Sequence, residues 1–94
     1  MTKTTVSLVT PHILSVIDLA KQAETGINVD WHLKDAVAKT YADLGHQFNA
    51  RDLISAFIHG LETTAEQAEP RRKFYSGALR TAAVLATQRL NELD

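Results

Sequence analysis

Apolar residues in this chain recur at intervals of three and four positions, which is the spacing of one face of an α-helix and not of a β-strand. The densest run reads Leu-Ile-Ser-Ala-Phe-Ile-His-Gly-Leu over residues 53–61. Only two prolines and four glycines interrupt the pattern along the chain. The spacing therefore predicts an all-α fold, a small bundle of three to four helices.

The length of 94 residues suits one compact domain, and we expect residues 1–94 to form a single helical unit with residues 1–9 flexible. The chain contains no cysteine, so neither a disulfide framework nor a thiolate metal site can support a small core. Stability must then come from packing or from self-association.

The first helix is predicted to begin with Thr10 as its N-cap and Pro11 at the first helical position, where the missing proline N–H is tolerated. Gly26 is expected to end it. The residues expected on its core face are Ile13, Val16, Ile17, Ala20 and Ala23.

Asn28 or Asp30 can cap a second helix, which Gly45 is expected to end. Asn49 is expected to cap the third helix, with Phe48 stapled across the cap onto the first turns of that helix. The third helix should then bury one wide apolar stripe, made by Leu53, Ile54, Phe57, Ile58 and Leu61.

Two overlapping capping-box patterns within residues 63–67 predict that the third helix ends in that stretch. Proline is disfavoured in a helix interior but suits the first turn, so the main body of the last helix is predicted to start near Glu69 or Pro70. It should run towards Leu93.

The last helix presents apolar residues in alternating four- and three-residue steps, with Phe74, Ala78 and Leu85 widening the stripe. Such a stripe is wider than one small neighbouring helix would cover. We therefore predict self-association through the last two helices. The expected dimer or partner interface comprises Phe57, Ile58, Leu61, Tyr75, Leu79, Ala82 and Ala86.

No pattern in the chain indicates catalysis or a cofactor. The histidines lack the close paired spacing of a metal site, and neither a nucleophile elbow nor a glycine-rich phosphate loop occurs. We expect a non-enzymatic protein with no metal, no cofactor and no small-molecule substrate. The four histidines, most simply surface or core-edge residues, are His12, His32, His46 and His59.

Arg71, Arg72 and Lys73 form the one dense group of positive charge in a chain whose formal net charge is −1. At the start of a helix these residues could contact phosphates, although Glu66 and Glu69 nearby would also fit an ordinary solvated face. The apolar runs are too short to cross a bilayer and the N-terminus lacks the features of a signal peptide. We expect a cytoplasmic protein with no membrane partner.

The stretch Leu-Ile-Ser-Ala-Phe-Ile-His-Gly-Leu-Glu-Thr-Thr at residues 53–64 resembles the YmgB/AriR family of small biofilm and acid-resistance regulators, which are two-component-system connector proteins. The family-like core spans residues 31–84. The motif positions that carry over are His59, Glu62, Thr63 and Thr64. The resemblance implies a helical homodimer that modulates biofilm formation and the acid and stress response by contacting a signalling phosphorelay.

The sequence is also compatible with two other functions. One is a DNA-binding transcriptional modulator, in which a dimer places the Arg71–Lys73 cluster of both subunits against the DNA backbone. The other is an antitoxin-like or phage-type inhibitor that covers a target surface, which the sequence alone does not separate from a connector.

Overall fold

The computed structural model describes residues 3–92, with side chains from Val6 onwards. Four α-helices fill this range: α1 (Lys3–Glu24), α2 (Asp30–Leu44), α3 (Ala50–Ala68) and α4 (Lys73–Glu92). No strand occurs among the described residues. The predicted all-α small bundle is confirmed.

The helices form an up-down-up-down bundle. A hydrogen bond of 2.7 Å between His12 and Asp43 joins the middle of α1 to the end of α2, so these two helices run in opposite directions. Arg51 and Leu90 are hydrogen-bonded across the hairpin of α3 and α4. Arg72, just before α4, is hydrogen-bonded to Glu24 at the end of α1, so α1 and α4 also run in opposite directions. As a result α2 and α4 point the same way, and they pack against each other.

The core lies where α1 packs on both α3 and α4. Leu53, Ile54, Phe57 and Leu61 are fully buried there, as the stripe on the third helix predicts. The buried hydroxyl of Thr40 donates to the carbonyl of Ala36, so this polar side chain enters the interior without an unsatisfied group. Val16 and Ala20 supply the fully buried positions of α1.

The predicted start of the first helix is wrong. α1 begins at Lys3, so Pro11 lies inside the helix and Thr10 is not its N-cap. Residues 3–9 belong to this helix, whereas residues 1 and 2 lie outside the described range. The side chain of Val9 is buried in the core, and this burial offsets the one backbone hydrogen bond that Pro11 cannot make.

The predicted boundary between the last two helices is also wrong. α3 continues through residues 63–67 to Ala68, because Ala65 is fully buried and holds that turn against the core. Pro70 belongs to the connection after α3 and follows a cis peptide bond with Glu69. α4 therefore begins at Lys73, and Leu93 lies outside the described residues.

The other helix ends agree more closely with the sequence. Gly26 ends the first helical segment with a φ of 93°, a conformation that glycine adopts without steric cost. Asn28 accepts a hydrogen bond from the Asp30 N–H at the start of α2. Asn49 is the N-cap of α3, although its side chain makes no capping hydrogen bond. The predicted staple is wrong, because the Phe48 side chain is fully exposed.

Each of the four described helices falls short of the combination of length and apolar character that crossing a bilayer requires.

Candidate interaction surfaces

The seven residues predicted to form a dimer interface lie in the core of the single chain. Their exposed fractions run from 0 to 8%. The wide stripe needs no second subunit, because α1 is longer than predicted and covers both α3 and α4. The interface assignment is therefore corrected, and an interface between copies must use another surface. The residues now placed in the core are Phe57, Ile58, Leu61, Tyr75, Leu79, Ala82 and Ala86.

Large aromatic side chains on the surface are the most prominent feature outside the core. Trp31 is 75% exposed, Phe74 71% and Phe48 107%, which makes three of the six aromatic residues of the chain. Phe74 belongs to the row that widens the stripe of the last helix, but it points away from the core. Single exposed apolar residues are ordinary, whereas exposed tryptophan and phenylalanine are the types enriched at interface cores.

Two depressions lie between α2 and α4, and together we call them the α2–α4 groove. The first, of about 460 Å³, lies beside the turn between α1 and α2, and its lining includes Ile27, Asp30, Leu33, Lys73, Phe74 and Thr81. A second depression lies farther along the same two helices, lined by Lys34, Val37, Leu85, Gln88, Arg89 and Glu92.

Tyr41 fastens α2 to α4 beside the second depression. Its hydroxyl donates a 2.6 Å hydrogen bond to the carbonyl of Ala86, and burial raises the pKa of this hydroxyl. The guanidinium of Arg89 lies 5.7 Å from the centre of the Tyr41 ring. These contacts of Tyr41 hold α2 and α4, the two walls of the α2–α4 groove, at a defined separation.

The predicted basic cluster is divided between two roles. Arg72 binds Glu24 at the end of α1 through two hydrogen bonds, one of them 2.9 Å from Nε to Oε2, and its guanidinium lies 3.7 Å above the Tyr75 ring. Arg71 and Lys73 are exposed. Because Glu24 neutralises Arg72, two cations and not three are presented to a partner.

The contact between Arg72 and Glu24 should make the stability of the fold depend on pH in the acidic range. The hydrogen bond from Arg72 lowers the pKa of Glu24 below its ordinary value of 4.5. A carboxylate with a lowered pKa stabilises the fold above its unfolded pKa, and this contribution disappears as the pH falls through the folded value.

We expect Glu24→Gln to lower the urea midpoint of unfolding at neutral pH, and we expect the difference from the unsubstituted protein to shrink well below pH 4.5. Glu69→Gln serves as the matched variant, because Arg80 lowers the pKa of Glu69 in the same way but joins the end of α3 to α4 without involving α1. A difference for Glu24→Gln that stayed constant into strong acid would contradict the assignment.

The four motif positions on which the predicted resemblance to the YmgB/AriR family rests all lie on α3. His59 and Glu62 are exposed on α3, and Thr63 and Thr64 are half-buried, with the Thr64 hydroxyl donating to the carbonyl of Gly60. Among residues 3–92 no group of three histidine, aspartate or glutamate side chains is placed to hold a metal ion.

No protein-family model, curated protein or solved structure matches this chain. The resemblance of residues 31–84 to the YmgB/AriR family therefore remains a prediction from the sequence.

Proposed function

We propose that the protein is a small non-enzymatic regulator that pairs with itself and acts through protein–protein contacts with a signalling phosphorelay, and so modulates biofilm formation and the acid and stress response. The observation that supports this most directly is the exposure of Trp31, Phe48 and Phe74 on a bundle whose core is already closed. The resemblance at residues 53–64 supplies the phosphorelay as the expected partner.

Exposed aromatic side chains favour docking because burying each against a partner gains about 1.5–3 kcal/mol relative to leaving it in water. Trp31 is the second residue of the fifteen-residue helix α2, and Phe48 follows the end of that helix by four residues, so most of the roughly 22 Å length of α2 lies between them. Trp31 and Phe48 therefore mark two regions of the surface, which allows one for a second copy and one for another protein.

DNA binding is the second candidate. It rests on Arg71 and Lys73, which are exposed beside the connection from α3 to α4. The pairing of Arg72 with Glu24 weakens this candidate, because it removes the central charge of the cluster. Two cations in each subunit predict a weak affinity with only a modest dependence on salt.

Light scattering coupled to size exclusion tests the proposal. We expect a dimer at tens of micromolar whose mass is unchanged by a mixed-sequence DNA duplex at low and at physiological salt. Addition of a purified phosphotransfer domain, and separately of a receiver domain, should give a complex with at least one of them.

A protein that stayed monomeric and bound neither signalling domain would overturn the proposal. A complex with the duplex that dissociates as salt is raised would support the DNA candidate instead, and it should then require Arg71 and Lys73.

A further inference from the structure

The α2–α4 groove carries charges of both signs at both of its ends. Lys73 and Asp30 line the first depression, and Lys34 and Glu92 line the second together with Arg89, whose guanidinium lies beside the Tyr41 ring. The side chains of Lys73, Asp30, Lys34 and Glu92 form no ion pair with another described residue. The other acidic group at the first end, Glu24, is already bound to Arg72.

We propose that a second copy of the chain covers this groove, related to the first by a two-fold axis, with the two α4 helices antiparallel. The inference rests on the proposed function, since it names the surface through which the protein pairs with itself. In a two-fold interface each patch meets its own equivalent, so the patch must be complementary to itself.

The register follows from the charges on α4. Lys73 and Glu92 are the first and last residues of this helix. In an antiparallel pair whose axis passes the middle of α4, Lys73 of each copy lies beside Glu92 of the other. The interface therefore contains the contact between Lys73 and Glu92 twice.

The apolar surface fits the same register. Phe74 protrudes from α4 beside the first depression. The half-buried Leu85 offers an apolar contact in the second depression, whose other lining side chains are polar or, like Val37, almost fully buried. Antiparallel pairing places Phe74 of each copy over the second depression of the other, with Ile27, which is 51% exposed, at the edge. The twenty residues of α4 extend about 30 Å, so the contact spans most of the 38 Å length of the molecule.

A charge-exchange experiment tests this arrangement. K73E alone sets two glutamates against each other at both ends of the interface, and E92K alone does the same with two lysines. We expect each variant to weaken self-association about tenfold or more, since like charges meet twice. An equimolar mixture of the two variants should regain a dimer, because the introduced glutamate of one chain then meets the introduced lysine of the other.

A pair of phenylalanine variants tests the apolar part. F74S should weaken self-association about tenfold or more, because it removes the side chain that fills the second depression. F48S is the matched control, since Phe48 is equally an exposed aromatic residue but does not line the groove. Circular dichroism and urea unfolding of each variant, measured in dilute monomer, verify that the fold is retained.

The outcomes separate this inference from the proposed function. Restored dimerisation in the mixture, together with a loss in F74S but not in F48S, supports the groove as the interface. A dimer that is insensitive to all of these changes overturns the groove and leaves self-pairing standing. Monomeric behaviour of the unsubstituted protein at tens of micromolar overturns both.

Discussion

Phe57→Ala is expected to lower the free energy of unfolding by about 3–5 kcal/mol, the usual effect of removing a buried aromatic ring and leaving a cavity. Phe57 has the largest side chain among the fully buried residues that the structure describes. A domain of this size has a total stability of about 5–15 kcal/mol, so the variant should lose a large share of it. Urea unfolding followed by circular dichroism measures the change.

Phe48→Ala is the matched control, because the same ring is removed from a fully exposed position. Its effect should stay within about 0.5 kcal/mol. The experiment also separates core from interface: a loss at Phe57 that disappears on dilution into the monomeric range would show that its ring packs between subunits. A loss that persists in the monomeric range agrees with burial of the Phe57 ring within one chain.

The sequence predicts the third helix best, because there several levels of information agree. The apolar residues of α3 follow one helical stripe, and all five are buried. Asn49 marks the N-cap, and Gly45 marks the end of the preceding helix. Local propensity, periodicity and tertiary burial favour the same structure in this segment.

The two mispredicted boundaries are places where tertiary burial outweighs a local signal. Pro11 favours a helix start, but α1 continues through it because Val9, one half-turn earlier, is buried. The capping boxes at residues 63–67 favour a helix end, but the burial of Ala65 keeps α3 helical. A capping interaction contributes about 1 kcal/mol, which extra buried surface readily offsets.

The interface is harder to predict because periodicity identifies a buried face without identifying what covers it. The stripe on α4 that suggests a second subunit is covered by α1, whose first two turns lie outside the predicted helix. The contact of Arg72 with Glu24 joins residues 48 positions apart, and no local pattern indicates it. Periodicity also places Phe74 beside the buried stripe of α4, next to Tyr75. Tyr75 is buried, but Phe74 is exposed.

The buried face and the outer face of α4 have different roles. The buried face closes the monomer through Tyr75 and Leu79 and leaves no binding surface. The outer face, with Phe74 and the two terminal charges, contributes little to the core and stays available to another copy. Substitutions on the outer face should therefore change association without changing the stability of the monomer.

Gly60→Val is expected to destabilise the bundle by about 1–3 kcal/mol through overpacking between α1 and α3. A Cβ atom at position 60 would lie 2.5 Å from Cδ1 of Ile13. Valine branches at Cβ and has essentially one rotamer in a helix, so it has little freedom to turn away from this contact. The gain in helix propensity over glycine is below about 1 kcal/mol and does not offset the clash.

Gly60→Ala is the matched control for the same position. It adds only the Cβ atom, which meets the flexible end of the Ile13 side chain, and its helix propensity is about 1 kcal/mol better than that of glycine. We expect its unfolding free energy to stay close to that of the unsubstituted protein.

A double-mutant cycle identifies the cause of the valine effect. In an Ile13→Ala background, the cost of Gly60→Val should fall by about 1 kcal/mol or more, because the atom that it displaces is gone. Equal costs in both backgrounds would show that the helices do not meet at this point. A strong coupling would place α1 directly against α3, and it is this packing of α1 that covers the core stripe and leaves the α2–α4 groove as the proposed surface for a second copy.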